Sequence, residues 1–249
     1  MQPLTKGHYS ARLAVTGADL SAALALRHLC FRAGRGQRQT ASDADPFDAL
    51  CQHMLISDTV TGDLVCCYRL MTFANGRATA AGYAAQFYDL TPLANLDAPL
   101  IELGRFCLHP DRSDPDILRL AWAALTRLVD AQGTAMLFGC SSFAGADPAA
   151  HGAALGHLAR HHLAPSDRSP GVRVVEAVAL APFAQQTPDH PPALPPLLRT
   201  YLGMGGWVSD HAVIDRDLDT LHVFTGLAIA AIPPHRAAAL RALAADTTS

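Results

Sequence analysis

Apolar residues along the chain gather into dense runs separated by polar stretches marked by glycine and proline. Arg12 to Val15 is a short candidate strand. Ala18 to Ala33 repeats Leu20, Leu24, Leu26, Leu29 and Cys30 at helical spacing, with Asp19 or Ser21 placed to cap its start. A polar loop, "GRGQRQTASDADPFD", separates it from "HMLISD" and "LVCCYRLM", two runs joined by "TVTGD" that predict an antiparallel hairpin. Leu100 to His109 predicts a buried strand. Asp114 or Pro115 opens a helix running through Leu118, Leu120, Trp122, Leu125, Leu128 and Val129 and stopped by Gly133. "AMLFGCSSF" is a further buried strand, Pro148 to His161 a helix and Arg173 to Leu180 a strand. A proline-rich crossover, "TPDHPPALPPLL", leads on to a last strand in "DTLHVFTGLAI". Beyond Pro233 the chain is alanine-rich and reads as a loosely held helix. The order, antiparallel at the start with a βαβ unit in the middle, predicts one α/β domain over residues 1–232, a mixed sheet with helices on both faces.

Composition narrows the function classes. The 249 residues are half apolar and 16% charged, with a net charge of −3, so no basic surface predicts binding to nucleic acid. All basic residues but Lys6 are arginines, a bias of the kind that alanine-rich chains from GC-rich genomes carry. "MQPLTKGHYSARL" lacks the apolar segment of a signal peptide, and Val223 to Ile232 is half the length of a membrane span. Six cysteines without a C-x-x-C spacing read as small buried hydrophobes. The expectation is a cytoplasmic protein.

The strand at Leu100 poses the chemical question, because it carries Glu102 and Arg105 among Ile101, Leu103, Phe106, Cys107 and Leu108. Isolated buried charges cost several kcal/mol, on the order of 2–7 even for polar groups without partners. Regular alternation puts the two on opposite faces. A bulge at Gly104 brings both to one side and turns them into a cleft, whereas a structural ion pair is the plainer alternative.

The string "IELGRFCLHP" resembles the E-x-x-R-F segment of acyl-homoserine-lactone synthases and of the ornithine-lipid type of N-acyltransferases, both within the GNAT superfamily. Arg27 and Phe31, the loop "DADPFD" with Asp45 and Asp48, and Arg69 extend that resemblance. "LFGCSSFAGADP" and "YLGMGGWVSDHAVIDRDLDT" resemble the ornithine-lipid branch. The resemblance implies a GNAT-like fold with a bulged, splayed central sheet. It also implies transfer of a 3-hydroxyacyl chain from acyl carrier protein to the α-amine of an amino acid, ornithine foremost and glutamine next. It implies no metal and no redox cofactor. The donor would be acyl-phosphopantetheine, because "HPDRSDPDI" offers three aspartates where acetyl-CoA enzymes place a glycine-rich pyrophosphate loop. Arg32, Arg35, Arg38, Arg112 and Arg119 are the candidate contacts to an acidic carrier protein. The amphiphilic product implies peripheral contact with the inner membrane face.

Within that reading Glu102 is the general base. Arg105 and Arg69 hold either Glu102 or the acceptor carboxylate, two roles the sequence does not separate. Backbone N–H groups near Phe106 meet the oxyanion. Asp45 and Asp48 cap the site or simply cap a helix. Ser141 and Ser142 bond the pantetheine arm or end a strand; "GCSSFAG" lacks the second glycine of a nucleophile elbow. His157 and His161 stand at i, i+4 without the acidic neighbour of a zinc motif. The rivals are a lactone synthase using S-adenosylmethionine and a non-catalytic module that binds carrier protein or lipid.

Overall fold

A computed structural model describes residues 2–33, 42–185 and 193–246. In chain order the first elements are β1 (Leu4–Lys6), β2 (Tyr9–Leu13), α1 (Gly17–Phe31), β3 (Gln52–Asp58), β4 (Leu64–Phe73), β5 (Tyr88–Asp89), β6 (Leu100–Leu108) and α2 (Pro115–Ala131). The remainder are β7 (Met136–Ala144), α3 (Gly152–His161), β8 (Gly171–Val172), β9 (Ala177–Ala179), α4 (Pro196–Gly203), β10 (Trp207–Asp215), β11 (Thr220–Ala228) and α5 (Pro234–Asp246). The chain divides into two compact units. The first holds the segments up to Thr72, Leu103–Thr134 and the part from Pro234 onward; the second holds Phe73–Glu102 and Ala135–Pro233.

In the first unit the strands run β1-β2-β3-β4-β6. β1, β2, β3 and β4 are antiparallel neighbours, with Leu13 opposite Met54 and Leu55 opposite Cys67. Thr16 caps α1 and Asp19 at its third position returns the bond, so the cap lies three residues before Asp19, the nearer of the two expected. α1 buries Ala23 and Leu26 against Leu55, Cys67 and Cys107. Tyr68, the next residue of β4, points the other way and donates its hydroxyl to the Ala121 carbonyl of α2 at 3.0 Å. Helices therefore cover both faces. Pro115 begins α2 behind the Asp114 cap, and Gly133, with φ of 60°, lets the chain leave it. α5 is anchored rather than loose, since Arg241 grips Asp130 of α2 through two bonds of 2.9 and 3.0 Å.

In the second unit the order is β6-β7-β11-β10-β9. β6 pairs with β7 in parallel at Leu100, Ile101 and Glu102, where the pairing ends. β7 and β11 are antiparallel over nine positions, from Met136 opposite Ala228 to Ala144 opposite Thr220. One face of β11 sends Leu221 and Val223 into a core with Leu155, Leu158, Leu198 and Leu202 of α3 and α4. The opposite face carries His222 and Phe224 against Tyr88, whose hydroxyl meets His222 Nδ1 at 3.0 Å. Several expectations shift here. Of the strand expected from Arg173 to Leu180 only the three residues of β9 form, β8 lying just before that range, and α3 begins only at Gly152 after a 3-10 turn. α4, started by Pro196, begins inside the stretch read as a crossover. Among the described residues no helix is long and apolar enough to cross a membrane.

Candidate active site

Strand β6 delivers its two charges into different surroundings. Glu102 is 5% exposed and belongs to the second unit. Its Oε2 accepts the Tyr83 N–H at 2.9 Å and its Oε1 the Ala84 N–H at 2.6 Å, at the start of a 3-10 turn over Ala84–Gln86. Free N–H groups at the head of a turn are natural anion partners, so the carboxylate is held in one orientation. Gly82 closes the same corner, where an added Cβ would lie 2.6 Å from Oε2 and 3.0 Å from the Phe73 ring.

Arg105 belongs to the first unit and sits at φ of 50°, a left-handed backbone that L residues seldom adopt. The irregularity expected at Gly104 thus falls one residue later. Leaving the strand geometry there turns the guanidinium toward the loop before β3: Arg105 Nε lies 3.1 Å from Asp43 Oδ2 and Nη2 3.4 Å from Asp45 Oδ2. Its Cζ stands 5.8 Å from the centre of the Phe31 ring, a cation–π contact.

The loop that receives it is built from charge pairs. Asp45 caps a 3-10 turn over Pro46–Leu50, and Asp48 returns a bond to the Asp45 backbone at 2.9 Å. The capping alternative for both residues is therefore realised, and both carboxylates do more than cap. Arg69 Nη1 bonds Asp45 at 2.6 Å and Asp48 at 2.8 Å. Arg27, 1% exposed, bonds Asp48 at 2.5 Å, the Asp43 carboxylate at 2.8 Å and the Asp43 carbonyl at 2.7 Å. Arg32 adds a contact of 3.1 Å to Asp43. Burial works to raise the Asp48 carboxyl, but Arg27, the Asp45 N–H and Arg69 outweigh it and hold it below the usual range. Burial likewise opposes the charge of Arg69, and Asp45 and Asp48 more than restore it.

Asp43 is the residue that sequence reasoning missed. It is 1% exposed and touches three arginines, Arg27, Arg32 and Arg105. The arrangement fixes a loop onto α1, β4 and β6 and leaves Arg105 with 11% side-chain exposure, against 1% for Arg27 and 3% for Arg69. Of these three guanidinium groups, Arg105 is therefore the most accessible to a carboxylate. Arg27 is placed as a support of the loop.

Over 229 residues, 86% of this chain and 88% of the relative, the sequence is 34% identical to the L-ornithine N(alpha)-acyltransferase of Rhodobacter capsulatus. The chain belongs to that family. The L-ornithine N(alpha)-acyltransferase of Brucella abortus is 33% identical over 90% of this chain and 85% of its own. An acetyltransferase (GNAT) domain model matches residues 26–123. Among solved structures, FeeM, an N-acyl amino acid synthase from uncultured soil microbes, superposes with a TM-score of 0.52. At 9% identity over 90% of this chain and 94% of FeeM, it speaks for the fold. The GNAT-like fold that the resemblance implies is thus the fold of this chain.

The other expected site residues fall in several places. Phe106 stacks on Tyr68, ring centres 5.2 Å apart and planes 5° from parallel. Ser141 and Ser142 lie inside β7 instead of ending it; Ser141 accepts the Thr225 hydroxyl at 2.9 Å, and Ser142 is exposed. Arg112 is paired with Asp63 at 2.7 Å and Arg119 with Asp116 at 2.8 Å, both at the surface. Arg35 and Arg38 lie outside the described residues. The rings of His157 and His161 on α3 lie 5.0 Å apart, tilted by 54°. At the head of α2, Asp114 accepts the Asp116 N–H at 2.9 Å and the Tyr9 hydroxyl at 3.1 Å, so the protein's own carboxylate already serves that helix start.

Proposed function

We propose that this chain transfers a 3-hydroxy fatty acyl group from acyl carrier protein to the α-amine of ornithine, yielding a lyso-ornithine lipid as the first step of ornithine-lipid synthesis. The observation that carries the proposal is 34% identity, over 86% of the chain, to a protein named for that acyl transfer to ornithine. The carrier-bound donor is supported by the head of α2, where the Asp114 carboxylate takes the Asp116 N–H and Asp111 and Asp116 stand near in sequence. A pyrophosphate would meet three carboxylates there, whereas a phosphopantetheine arm brings no nucleotide diphosphate.

The chemistry requires a neutral amine. One whose pKa lies two units above ambient pH costs about 2.7 kcal/mol to deprotonate, and a fixed carboxylate acceptor lowers the barrier to that step. Glu102 takes this role: it receives the proton as the amine attacks the thioester carbonyl, the carbon–sulfur bond breaks, and the pantetheine sulfur leaves as the thiol on regaining a proton. Arg105 holds the acceptor's α-carboxylate, because it combines a planar fork with residual exposure. Arg69, locked onto Asp45 and Asp48, supports the loop. The product leaves toward the inner face of the membrane, which the protein touches peripherally.

The test is mass spectrometry of reactions containing purified protein, 3-hydroxyacyl carrier protein and single amino acids, with S-adenosylmethionine as a further acceptor. N-acyl-ornithine as the dominant product is the expected result. An acyl lactone, or carrier binding without turnover on any acceptor, overturns the proposal.

A further inference from the structure

Three thiols meet in the core of the first unit. Cys67 Sγ of β4 lies 3.4 Å from Cys107 Sγ of β6, and Cys30 of α1, which points its Sγ at the Leu108 carbonyl at 3.3 Å, packs against the same cluster. All are free thiols. Their settings differ: Cys67 and Cys107 are 1% and 5% exposed, whereas Cys30 is half-buried. A hydrogen bond from the Cys107 thiol holds Cys30 below the ordinary thiol value in spite of burial, while Cys107 is pushed well above it by bonds to Cys30 and Cys67 and by burial. A half-buried sulfur packed into one cluster with two further thiols, its thiolate favoured, has the setting of an oxidant-sensing cysteine with a resolving partner close by.

We propose that Cys30 and Cys107 form a peroxide-responsive pair, in which Cys30 reacts first and Cys107 resolves it as an intramolecular disulfide. The Cys30 thiolate attacks one oxygen of a hydroperoxide, the O–O bond breaks, and the second oxygen leaves as water or alcohol after taking up a proton. Cys107 sulfur then attacks the Cys30 sulfenic acid, the S–O bond breaks, and the hydroxyl leaves as water. Two thiols lose two electrons and two protons, and one peroxide is reduced. The consequence is local. Cys30 precedes Phe31, whose ring faces Arg105, and Cys107 lies two residues beyond Arg105 on β6. A covalent tie between α1 and β6 at this point shifts the cation–ring contact that positions Arg105.

The test treats the reduced full-length protein with a small excess of hydrogen peroxide, alkylates the remaining thiols and maps the peptides by mass spectrometry. The expected result is a Cys30–Cys107 linked pair, reversed by dithiothreitol, with Cys51, Cys66, Cys67 and Cys140 alkylated. Cys107→Ser traps a dimedone adduct on Cys30, and Cys30→Ser gives no link. Turnover of the oxidised wild type falls by about tenfold or more, the scale of loss from a displaced positioning group, and returns on reduction; Cys30→Ser keeps its turnover through peroxide. Absence of the linked pair, or a Cys67–Cys107 link forming as fast in Cys30→Ser as any link in the wild type, overturns the proposal. A link that leaves turnover unchanged overturns its regulatory half. Peptide mapping is independent of the acyl-transfer reading and only the turnover arm rests on it, so failure of one is distinguishable from failure of the other.

Discussion

Arg27 Nε and Asp43 Oδ2 meet at 2.8 Å with side-chain exposures of 1% and 0%. Neither group survives there without the other, because desolvating a lone charge costs several kcal/mol while a paired one is compensated. Asp43 also faces Arg32 and Arg105, so it neutralises more of the loop than any single arginine does. Asp43→Asn is therefore expected to destabilise the fold by about 3–5 kcal/mol, the range for breaking a buried pair from one side. The midpoint of urea unfolding reads this directly.

Glu102→Gln keeps the size of the side chain and removes its charge. One backbone donor, Tyr83 or Ala84, then faces an amide N–H instead of an oxygen. The expected stability cost is about 1–3 kcal/mol. Turnover falls by about 10²–10⁴-fold if Glu102 moves the proton. Steady-state kinetics beside a thermal melt separate the two effects, and a variant that melts lower with undiminished kcat removes Glu102 from the chemistry.

Gly82→Ala is a subtler probe of the same carboxylate. Gly82 has φ of −78°, which any residue adopts, so the substitution strains no backbone. Its Cβ would press on Glu102 Oε2 at 2.6 Å. A loss of kcat larger than the loss of stability is expected, since a displacement near 1 Å can cost about 10²-fold in rate.

Arg105→Lys retains the charge beside Asp43 and Asp45 but not the planar fork. The Michaelis constant for the amino acid is expected to rise more than kcat falls. A pure kcat effect with unchanged acceptor affinity would reassign the carboxylate contact to another group.

Stability is expected to fade on the acid side. Asp19 is held below the usual carboxyl value by the Arg12 guanidinium and by the Val15 and Thr16 N–H groups. Asp48 is held below it by Arg27 in spite of burial. Such groups contribute fully above the unfolded carboxyl pKa, about 3.9, and lose their contribution as pH falls through the lower folded value. The melting temperature should therefore drop progressively below about pH 4, and Asp19→Asn should flatten that slope.

The parts of the fold that were legible in the sequence are those where one period dominates. β3 and β4, β6, α2 and β7 each announce themselves by an apolar run with a turn or cap at the end, and Gly62, at φ of 81°, sits in the hairpin turn as expected. α4 was hidden because "PPALPPLL" reads as a breaker, although a proline in a first helical turn loses no bond. β1 has three residues, too few for alternation to show. Asp43 lies in a polar string, where nothing local marks a loop aspartate as the partner of arginines 16 and 11 residues earlier, on α1 and at its C-terminal cap. The partners of Glu102 carry no signature at all. Tyr83 and Ala84 hold it through backbone N–H groups, which every residue but proline possesses.

The Asp114 carboxylate at the head of α2 has a consequence for cell physiology. A helix start left open for phosphate senses every nucleotide-bearing thioester in the cell, and its owner competes for acetyl-CoA with central metabolism. Here the first turn is answered from within the chain. With the carrier-bound donor proposed above, lipid output would follow the supply of fatty chains under synthesis and not the free coenzyme A pool.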